Sequence, residues 1–433
     1  AGDGAGVSEA ADAADTVAAL GEWQPAWVIV DHYAFAAGWH AAVRSGLECR
    51  IAAIDDLADR ALDVDLLIDH NYDADHRAKY AGRIPAATPV LGGPRFALLG
   101  PAFADAPRYA PHREVRSIGI FMGGVDHDNV SSLALQSVAE AGFEGEVEIV
   151  ATSANPNLDA LRAAAADRPG TVLTIDLPDL AGFFARHDLQ IGAGGGASWE
   201  RCCIGAPTLL LLLAENQRAI VPVLAAEGVV VTPMPLGTLD AAAIAEATGA
   251  LIADPDRRYD LSGRSRALVD GLGAYRVALR LLADRVAVRP ATLDDAGIMH
   301  RWRNDPATRR VSRTSQEIGW DEHLAWTGRV LADPERDLMI GAVGDRPIGV
   351  IRFDRLEGRQ AEVSLYLDPA LHGLGLGKTM LLAGERAAAE GLDILAEVLE
   401  GNHGSARLFE SAGYRRADAS HWIKPAAGRT RAN

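Results

Sequence analysis

The chain has 433 residues, of which 48% are hydrophobic and 23% are charged, a composition typical of roughly two to three soluble globular domains. Its formal net charge of -17 at pH 7 argues against broad binding to nucleic acid or to anionic membranes, because those partners are also negatively charged. The three cysteines form no C-x-x-C pair and the longest apolar run, residues 207–214, is too short to cross a bilayer, so we expect a cytoplasmic protein without disulfides, bound metal or membrane insertion.

The chain opens at Ala1 with a stretch rich in Gly, Ala and Asp, which is typical of a loose lead-in, and we expect its natural beginning to lie upstream. From there to about residue 285, short apolar runs alternate with helical stretches. The predicted strands are Trp27–Asp31, Asp65–Asp69, Ser117–Met122, Val147–Ala151, Leu189–Gly192 and Thr208–Leu213, and the predicted helices include Leu158–Ala166 and Trp199–Ile204. This alternation is typical of parallel sheets with helices on both faces.

Prolines at positions 101, 107 and 111 indicate a linker between two α/β lobes. We therefore predict a partial N-terminal lobe over residues 1–105 and a second lobe over residues 112–284, both of the Rossmann type. Ligands of such folds bind in the crevice at the carboxyl ends of the strands.

Two glycine-rich segments follow predicted strands in the second lobe. Gly123-Gly124 ends one strand, and residues 192–196 lie before a helix that carries Glu200 in its first turn. A glycine-rich loop before a helix suits a diphosphate, and a carboxylate one turn later suits ribose hydroxyls. The same glycines are also typical of tight strand–helix packing, and both interpretations stay open at this point.

Together with residues 30–33, 54–60, 92–99 and 215–217, these loops resemble the UDP-sugar hydrolases of pseudaminic acid synthesis, a GT-B-like family that is similar to the N-acetylglucosaminyltransferase of peptidoglycan synthesis. The resemblance covers residues 10 to 235 and implies two sets of site residues. The implied UDP-binding residues are Gly124, Gly194, Gly195, Ser198 and Glu200, and the implied catalytic residues are Tyr33 and Asn216, facing the sugar and the diphosphate. The family's opening G-x-G-H-x-x-R loop, whose His is its proposed base, has no counterpart here, so we expect a truncated, incomplete GT-B-like lobe.

The remainder of the chain follows a different pattern. A helix over residues 267–284 leads to the strand Ala287–Ala291, which begins a domain predicted over residues 286–424, with a tail at 425–433. The later elements are predicted as helices at 293–304, 320–331, 377–391 and 402–412 and strands at 338–343, 348–354, 361–367 and 394–399. This order is an α+β arrangement around an antiparallel meander.

The segment His372-Gly373-Leu374-Gly375-Leu376-Gly377-Lys378 joins a strand to a helix. Glycines allow close approach to the backbone, and free amides at a helix N-terminus bind phosphate. An ordinary tight turn is the alternative interpretation of such a loop on its own.

With the preceding strand and the closing pattern Asn402…Ala406…Phe409-Glu410…Gly413-Tyr414, this loop resembles the GNAT superfamily of acyl-CoA-dependent N-acetyltransferases. The resemblance implies acetyl-CoA as cofactor. The implied cofactor-binding residues are Leu374, Gly375, Leu376, Gly377 and Lys378 at the pyrophosphate, Leu365 and Leu367 along the pantetheine arm, and Asn402 beside that arm.

Acyl transfer to an amine needs a base for the ammonium and an acid for the thiolate. The family often has Tyr where this chain has Phe409, so Tyr414 is the substitute candidate for the acid. Glu397 or Glu362 is the candidate base, acting through water. Glu397 has a second interpretation as a solvated carboxylate at a strand edge.

Residues 302–305 and 320–326 resemble GNAT enzymes that acetylate 4-amino sugars carried on UDP, although tryptophans at helical spacing are also typical of a core. We therefore predict a bifunctional enzyme that N-acetylates a UDP-linked 4-amino-4,6-dideoxy sugar and hydrolyses the UDP-2,4-diacetamido-2,4,6-trideoxy product. Two alternatives stay open. The N-terminal region is a UDP-sugar-binding module without turnover, or it is a GT-B glycosyltransferase.

Overall fold

The computed structural model describes residues 8–237 and 239–426. The chain divides into two compact units, Ala1–Ala274 and Tyr275–Asn433. Across the described ranges, we find no helix with the length and apolar character that a membrane span requires. Cys49, Cys202 and Cys203 are all free and buried.

The first half of unit one is a four-stranded parallel sheet with the order β1-β2-β3-β4. Its elements are α1 (Glu9–Leu20), β1 (Trp27–Val30), α2 (Ala37–Leu47), β2 (Arg50–Ile54), β3 (Leu66–Asp69), α3 (His76–Lys79), β4 (Val90–Gly92) and α4 (Pro101–Asp105). The apolar runs form the strands because both faces of the sheet are buried, and residues 51, 67 and 68 are fully inaccessible.

Helix α1 corrects the prediction of a loose lead-in for residues 9–20. The Ser8 hydroxyl accepts a hydrogen bond from the Ala11 amide at 3.3 Å, which caps the helix N-terminus. The Glu9 and Asp12 carboxylates then accept bonds from the Ala36 amide at 2.7 Å and the Trp39 indole at 2.8 Å. These tertiary contacts stabilise a helix that the amino-acid composition of the segment did not predict. Residues 1–7 lie outside the described part of the chain.

The second half of unit one is a five-stranded parallel sheet with the order β7-β6-β5-β8-β9. Its elements are β5 (Ser117–Phe121), α5 (Val130–Glu140), β6 (Glu146–Ala151), α6 (Leu158–Asp167), β7 (Thr171–Ile175), α7 (Ala181–Arg186), β8 (Leu189–Ala193), α8 (Ala197–Ile204), β9 (Thr208–Leu211), α9 (Val221–Ala226), α10 (Ala241–Ala253) and α11 (Pro255–Leu268). Helix α12 (Gly273–Leu281) follows and belongs mainly to unit two. Strand–helix alternation and parallel pairing confirm the predicted Rossmann-type α/β character of this region.

The prediction of one helix over residues 267–284 is wrong. Helix α11 ends at Leu268 and α12 begins at Gly273. Gly271 between them has φ +84°, and a Cβ at Gly273 would lie 2.2 Å from the Ala97 carbonyl oxygen. The chain therefore turns through a left-handed residue and packs its backbone against a neighbouring segment, which a continuous helix cannot do.

Unit two contains a seven-stranded sheet with the order β10-β11-β12-β13-β14-β16-β15. Its elements are β10 (Val286–Pro290), α13 (Ala296–Asn304), α14 (Pro306–Arg310), α15 (Trp320–Leu331), β11 (Arg336–Val343), β12 (Arg346–Leu356), β13 (Gln360–Leu367), α16 (Leu376–Ala388), β14 (Asp393–Glu397), α17 (His403–Ser411), β15 (Arg415–Arg416) and β16 (His421–Lys424). The pairing is antiparallel except between β13 and β14, which confirms the predicted α+β meander.

The two faces of this sheet are covered by different helices. Glycines 341 and 384 admit α16, since a Cβ at these positions would meet Met380 of the helix or Ile351 and Phe353 of the sheet. On the opposite face, Met299 of α13 and Val330 of α15 pack with Val350. Successive residues of β12 thus face opposite sides, as the strand period requires.

We expect Asp188→Ala to lower the free energy of unfolding by about 2–4 kcal/mol, because it removes the acceptor of buried backbone amides. The Asp188 carboxylate is 5% exposed and accepts bonds from the Arg116 and Ser117 amides at 2.8 and 3.1 Å. Chemical denaturation measures the change. The control is Asp159→Ala, whose carboxylate is exposed and pairs with the exposed Arg162, and whose effect should stay within about 0.5 kcal/mol. Equal effects of the two variants would contradict the assignment.

Candidate functional site

The loop between β13 and α16 contains backbone amides that have no backbone acceptor among the described residues. Gly373 and Gly375 have φ +84° and +79°, and a Cβ at either position would meet nothing within 4 Å. Among the described residues, the amides of residues 373–377 donate no hydrogen bond to another backbone group. Left-handed glycines before a helix start therefore form a concave set of donors that an anion can accept from.

The predicted loop residues have different environments. The side chains of Leu374 and Leu376 are 1% and 0% exposed and anchor the turn in the core. A Cβ at Gly377 would lie 2.6 Å from Leu408 Cδ1, so this glycine permits close packing of α16 against α17. Lys378 is exposed in the first turn of α16. The open part of the loop is thus its backbone from Gly373 to Gly375.

Strands β13 and β14 separate beside this loop. Their parallel ladder ends at the pair Val363–Ala396, while β13 continues to Leu367. The Asp368 amide donates to the Ile348 carbonyl at 2.9 Å, on the β12 side. Because backbone groups alternate sides along a strand, those of Leu365 and Leu367 point away from β12, towards the gap. An extended ligand can therefore pair with this edge of β13.

Asn402 has a structural contact that the sequence did not predict. Its side-chain oxygen accepts a hydrogen bond from the Ser405 amide at 3.1 Å and caps the N-terminus of α17. The Asn402 side-chain NH₂ group is the part left to donate to a ligand.

The two candidate bases share one arginine. Glu362 and Glu397 lie on the same face of neighbouring strands, and Arg313 Nη2 lies 2.8 Å from Glu362 Oε1. The Arg313 guanidinium also contacts the Glu397 carboxylate, and this bond, followed by the one to Glu362, raises the pKa of Arg313. Sequence reasoning missed Arg313, because a single arginine in a polar loop carries no distinguishing pattern. The pair of carboxylates therefore forms a site that holds a cation.

Tyr414 is placed away from these carboxylates. Its side chain is 3% exposed and its hydroxyl donates to Glu385 Oε1 of α16 at 2.9 Å. Burial, together with the Glu385 charge, raises the pKa of Tyr414. Phe409 packs edge-on against its ring. This environment favours a structural role for Tyr414 over proton donation to a leaving thiolate.

The tryptophans of α13 and α15 belong mainly to the core. Trp302 is 7% exposed and Trp326 packs against the same apolar cluster, whereas Trp320 is 46% exposed. Only Trp320 therefore offers a ring face to a ligand among these three.

In unit one, the two predicted glycine loops lie at adjacent strand ends. Phe121 of β5 pairs with Gly192 of β8, so the segments that follow them share one edge of the sheet. Gly124 is exposed, and its carbonyl accepts a bond from the Thr152 hydroxyl. Gly195 is also exposed, whereas Gly194 packs tightly, since its Cβ would lie 2.7 Å from Val221.

Ser198 and Glu200 lie at the start of α8, beside this loop. The Ser198 hydroxyl is buried and accepts a bond from the Gly195 amide at 3.2 Å. Burial raises the pKa of Glu200 above its usual range. Within residues 8–237 and 239–426, no hydrogen bond or ion pair engages the Glu200 carboxyl group. Gly124, Gly194, Gly195, Ser198 and Glu200 are thus brought to the same sheet edge.

Tyr33 belongs to the first sheet of unit one and follows β1. Its hydroxyl donates to Asp56 at 2.9 Å, and desolvation of the hydroxyl together with this carboxylate raises the pKa of Tyr33, although the residue as a whole is 57% exposed. Asp56 also accepts from the Asn71 side chain at 2.7 Å, and Asn71 in turn accepts from the Trp199 indole at 3.1 Å. A continuous chain of hydrogen bonds thus joins Tyr33 to α8. Asn216 lies in the short helix Glu215–Gln217, and its side chain lies outside the described part of the structure.

Comparison with known proteins locates one domain within this chain. Residues 285–415 match the family model described as "Acetyltransferase (GNAT) domain". The chain is also 30% identical over 195 residues to the spore coat polysaccharide biosynthesis protein SpsG of Bacillus subtilis (strain 168). That alignment covers 44% of this chain and 57% of the relative, so the chain spans little more than half of that protein's length.

Solved acetyltransferase structures give lower similarity. One is AAC(6')-Ib in complex with ribostamycin and coenzyme A, at 18% identity and a TM-score of 0.31, covering 34% of this chain and 98% of that one. Another is spermidine N-acetyltransferase from Vibrio cholerae in complex with CoA and spermine, at 14% identity and a TM-score of 0.29, covering 32% and 93%. At these scores neither neighbour bears on what this chain acts on. The family match agrees with acetyl-CoA, the cofactor expected from the sequence.

We expect Gly375→Val to weaken coenzyme A binding at least about tenfold, because a β-branched residue resists a φ of +79° and its side chain would fill the space above the free amides. Calorimetric titration with coenzyme A measures the affinity.

The matched control is Gly358→Val in the turn between β12 and β13. Its φ of +74° imposes similar backbone strain, and its Cβ also meets nothing within 4 Å. This variant should bind coenzyme A as the unmodified protein does. If Gly375→Val and Gly358→Val bind coenzyme A equally well, the loop is not the diphosphate site.

Proposed function

We propose that the C-terminal unit, which contains the GNAT domain match at residues 285–415, transfers an acetyl group from acetyl-CoA to the amine of a nucleotide-linked amino sugar. The observation that carries this proposal is the set of unpaired amides at residues 373–377 beside the open edge of β13. These groups fit a diphosphate and an extended amide-containing arm, the two parts of coenzyme A that a backbone can bind. Bound acetyl-CoA would supply an activated thioester.

The Glu362–Glu397 pair supports an amine as the acceptor. In the structure this pair holds the Arg313 guanidinium, which has the charge of a substrate ammonium. An acceptor amine arrives protonated and must lose one proton before its nitrogen can attack. We assign that proton to Glu397, the less exposed of the two carboxylates at 26% against 35%. Glu362 then orients the amine, and Arg313 moves aside.

We expect Glu397→Gln to lower kcat about 100-fold, because the amide keeps the shape of the side chain but cannot take a proton. Glu362→Gln should mainly raise KM for the amine. Release of free coenzyme A, followed with a thiol reagent, measures both constants. The control Glu357→Gln, in the exposed turn after β12, should leave both unchanged. An unaltered kcat for Glu397→Gln would remove this residue from the reaction.

For unit one we propose binding of the UDP moiety at Gly124, Gly194, Gly195, Ser198 and Glu200. The acetylated substrate class is a UDP-linked 4-amino-4,6-dideoxy sugar, and the second reaction is hydrolysis of the anomeric C–O bond with release of UDP. Adjacent glycine loops at the ends of β5 and β8, with a free carboxyl group at Glu200, support a nucleotide here. The role of the Bacillus subtilis relative in polysaccharide biosynthesis, which its name states, supports a sugar substrate.

A UDP-sugar-binding module without turnover is the second candidate for unit one. It is favoured by the environment of Tyr33, whose hydroxyl proton is held by Asp56 and whose raised pKa makes it unsuitable as a base for water. In that role unit one would bind the UDP-sugar without cleaving it.

Incubation of the full chain with acetyl-CoA and a UDP-4-amino-4,6-dideoxy sugar separates the candidates. Release of coenzyme A followed by UDP is the outcome expected of the bifunctional enzyme. Coenzyme A without UDP selects the binding module, and transfer of the sugar to an added alcohol selects a glycosyltransferase. No coenzyme A release with any amino sugar tested would contradict the acetyltransfer proposal.

We expect UDP affinity to fall as pH decreases through the raised pKa of Glu200, since the protonated carboxyl accepts fewer bonds from ribose hydroxyls. The loss should occur at higher pH than for an ordinary glutamate. Glu200→Ala should weaken binding by about 1–3 kcal/mol at neutral pH. Glu200→Gln, which does not titrate, should remove the pH dependence. UDP titrations between about pH 5 and pH 8 measure this, and an unchanged profile in Glu200→Gln would exclude the contact.

A further inference from the structure

Arg201 of α8 is a buried cation without a carboxylate partner among the described residues. The residue is 1% exposed, and its guanidinium lies 5.7 Å from the centre of the Phe184 ring. Nη2 donates to the Ala193 carbonyl at 2.6 Å, whereas Nε and Nη1 have no hydrogen-bond partner in the described ranges. Burial lowers the pKa of Arg201 to about 10. Such a group destabilises the free protein unless something compensates its charge.

The chain makes specific room for this guanidinium under the glycine loop. A Cβ at Gly192 would lie 2.4 Å from Arg201 Nη1, so only glycine at that position admits the side chain. Gly192 and Ala193 are the last residues of β8, and the buried Gly194 and the exposed Gly195 and Gly196 follow. The positive charge is therefore located immediately behind the loop, on its protein side.

Ser198 connects Arg201 to the loop. Its hydroxyl oxygen accepts a bond from the Gly195 amide at 3.2 Å and a weak one from Arg201 Nη2 at 3.4 Å. With both lone pairs used, the hydroxyl can only donate its own proton to a further partner. The residue is 4% exposed, and within the described residues no acceptor takes this proton. A buried donor polarised by a cation is suited to an anionic oxygen.

A second buried arginine shows what a purely structural role looks like. Arg258 of α11 is also 1% exposed, but it donates to four carbonyl oxygens, those of residues 251, 252, 112 and 113, at 2.6–3.1 Å. Residues 112 and 113 precede β5, at the opposite edge of the sheet from the glycine loops. Backbone carbonyls thus accept bonds from both terminal nitrogens of Arg258, whose Nε alone has no partner among the described residues, whereas Arg201 has one such carbonyl.

We infer that Arg201 is a positioning residue for a diphosphate at the Gly192–Gly196 loop: it orients the Ser198 hydroxyl to donate to a phosphate oxygen, and the bound anion compensates its buried charge. This inference rests on the proposed UDP site and adds a residue that does not itself touch the ligand. This role of Arg201 differs from a purely structural role in its effect on stability. A structural arginine stabilises the free protein, whereas a buried cation without a counterion lowers the stability of the free protein until the anion binds.

The experiment compares Arg201→Met with Arg258→Met in the full chain. Each variant replaces a buried arginine by a neutral side chain, and thermal unfolding and calorimetric titration with UDP and with pyrophosphate are measured for each. Arg201→Met should unfold at the same or a higher temperature than the unmodified protein, and its affinity for both ligands should fall about tenfold or more. Arg258→Met should unfold at a lower temperature and bind both ligands with unchanged affinity.

Normal ligand affinity in Arg201→Met, or a loss of stability like that of Arg258→Met with no change in binding, overturns the inference. If Arg201→Met does not fold, Ser198→Ala keeps the arginine and removes the polarised donor, and unchanged affinity there has the same meaning. Pyrophosphate binding that depends on Arg201, without UDP binding, supports the inference and contradicts the UDP proposal. Binding of neither ligand by the unmodified protein contradicts both.

Discussion

A helix cannot satisfy its own first amides, and the candidate site in unit two depends on this constraint. At α16 no side chain in the described ranges caps the helix: Gly375 precedes it with φ +79°, and the N–H groups of residues 373–377 have no backbone acceptor there. At α8 the Ser198 hydroxyl takes the Gly195 amide and becomes a donor in turn. The groups left for an anion from outside the chain are therefore backbone amides at α16 and the Ser198 hydroxyl at α8.

The surrounding elements keep these amides in place. Leu374 and Leu376 anchor one loop in the core of unit two, and the buried Arg201 lies behind the other loop. In unit one, the bonds from Tyr33 through Asp56 and Asn71 to Trp199 join the polar ends of its two sheets. Rigid side-chain contacts thus position backbone donors, and the glycines provide the space that a ligand needs.

The sequence was sufficient for features with a local cause. In unit one, apolar runs predicted β1, β3, β5, β6, β8 and β9 but not β2, β4 or β7, and glycine spacing located both loops. The sequence did not predict features that depend on long-range contacts. Helix α1 depends on the hydrogen bonds that Glu9 and Asp12 accept from Ala36 and Trp39, and the break before α12 depends on the close approach of Gly273 to Ala97. The partners of Arg313 and Arg201, the cap formed by Asn402 and the bond from Tyr414 to Glu385 are likewise set by residues distant in the chain.

The place of Arg313 between Glu362 and Glu397 has a consequence for the end of a catalytic cycle. An amide product is neutral, so the two carboxylates hold it far less strongly than they hold a guanidinium. Once acetylation removes the positive charge of the amine, Arg313 pairs with the two glutamates again and the product no longer has a binding partner there. The ion pairs of Arg313 with Glu362 and Glu397, which an incoming amine must displace, would then form again and displace the acetylated product. Product release would therefore need no larger conformational change of the domain.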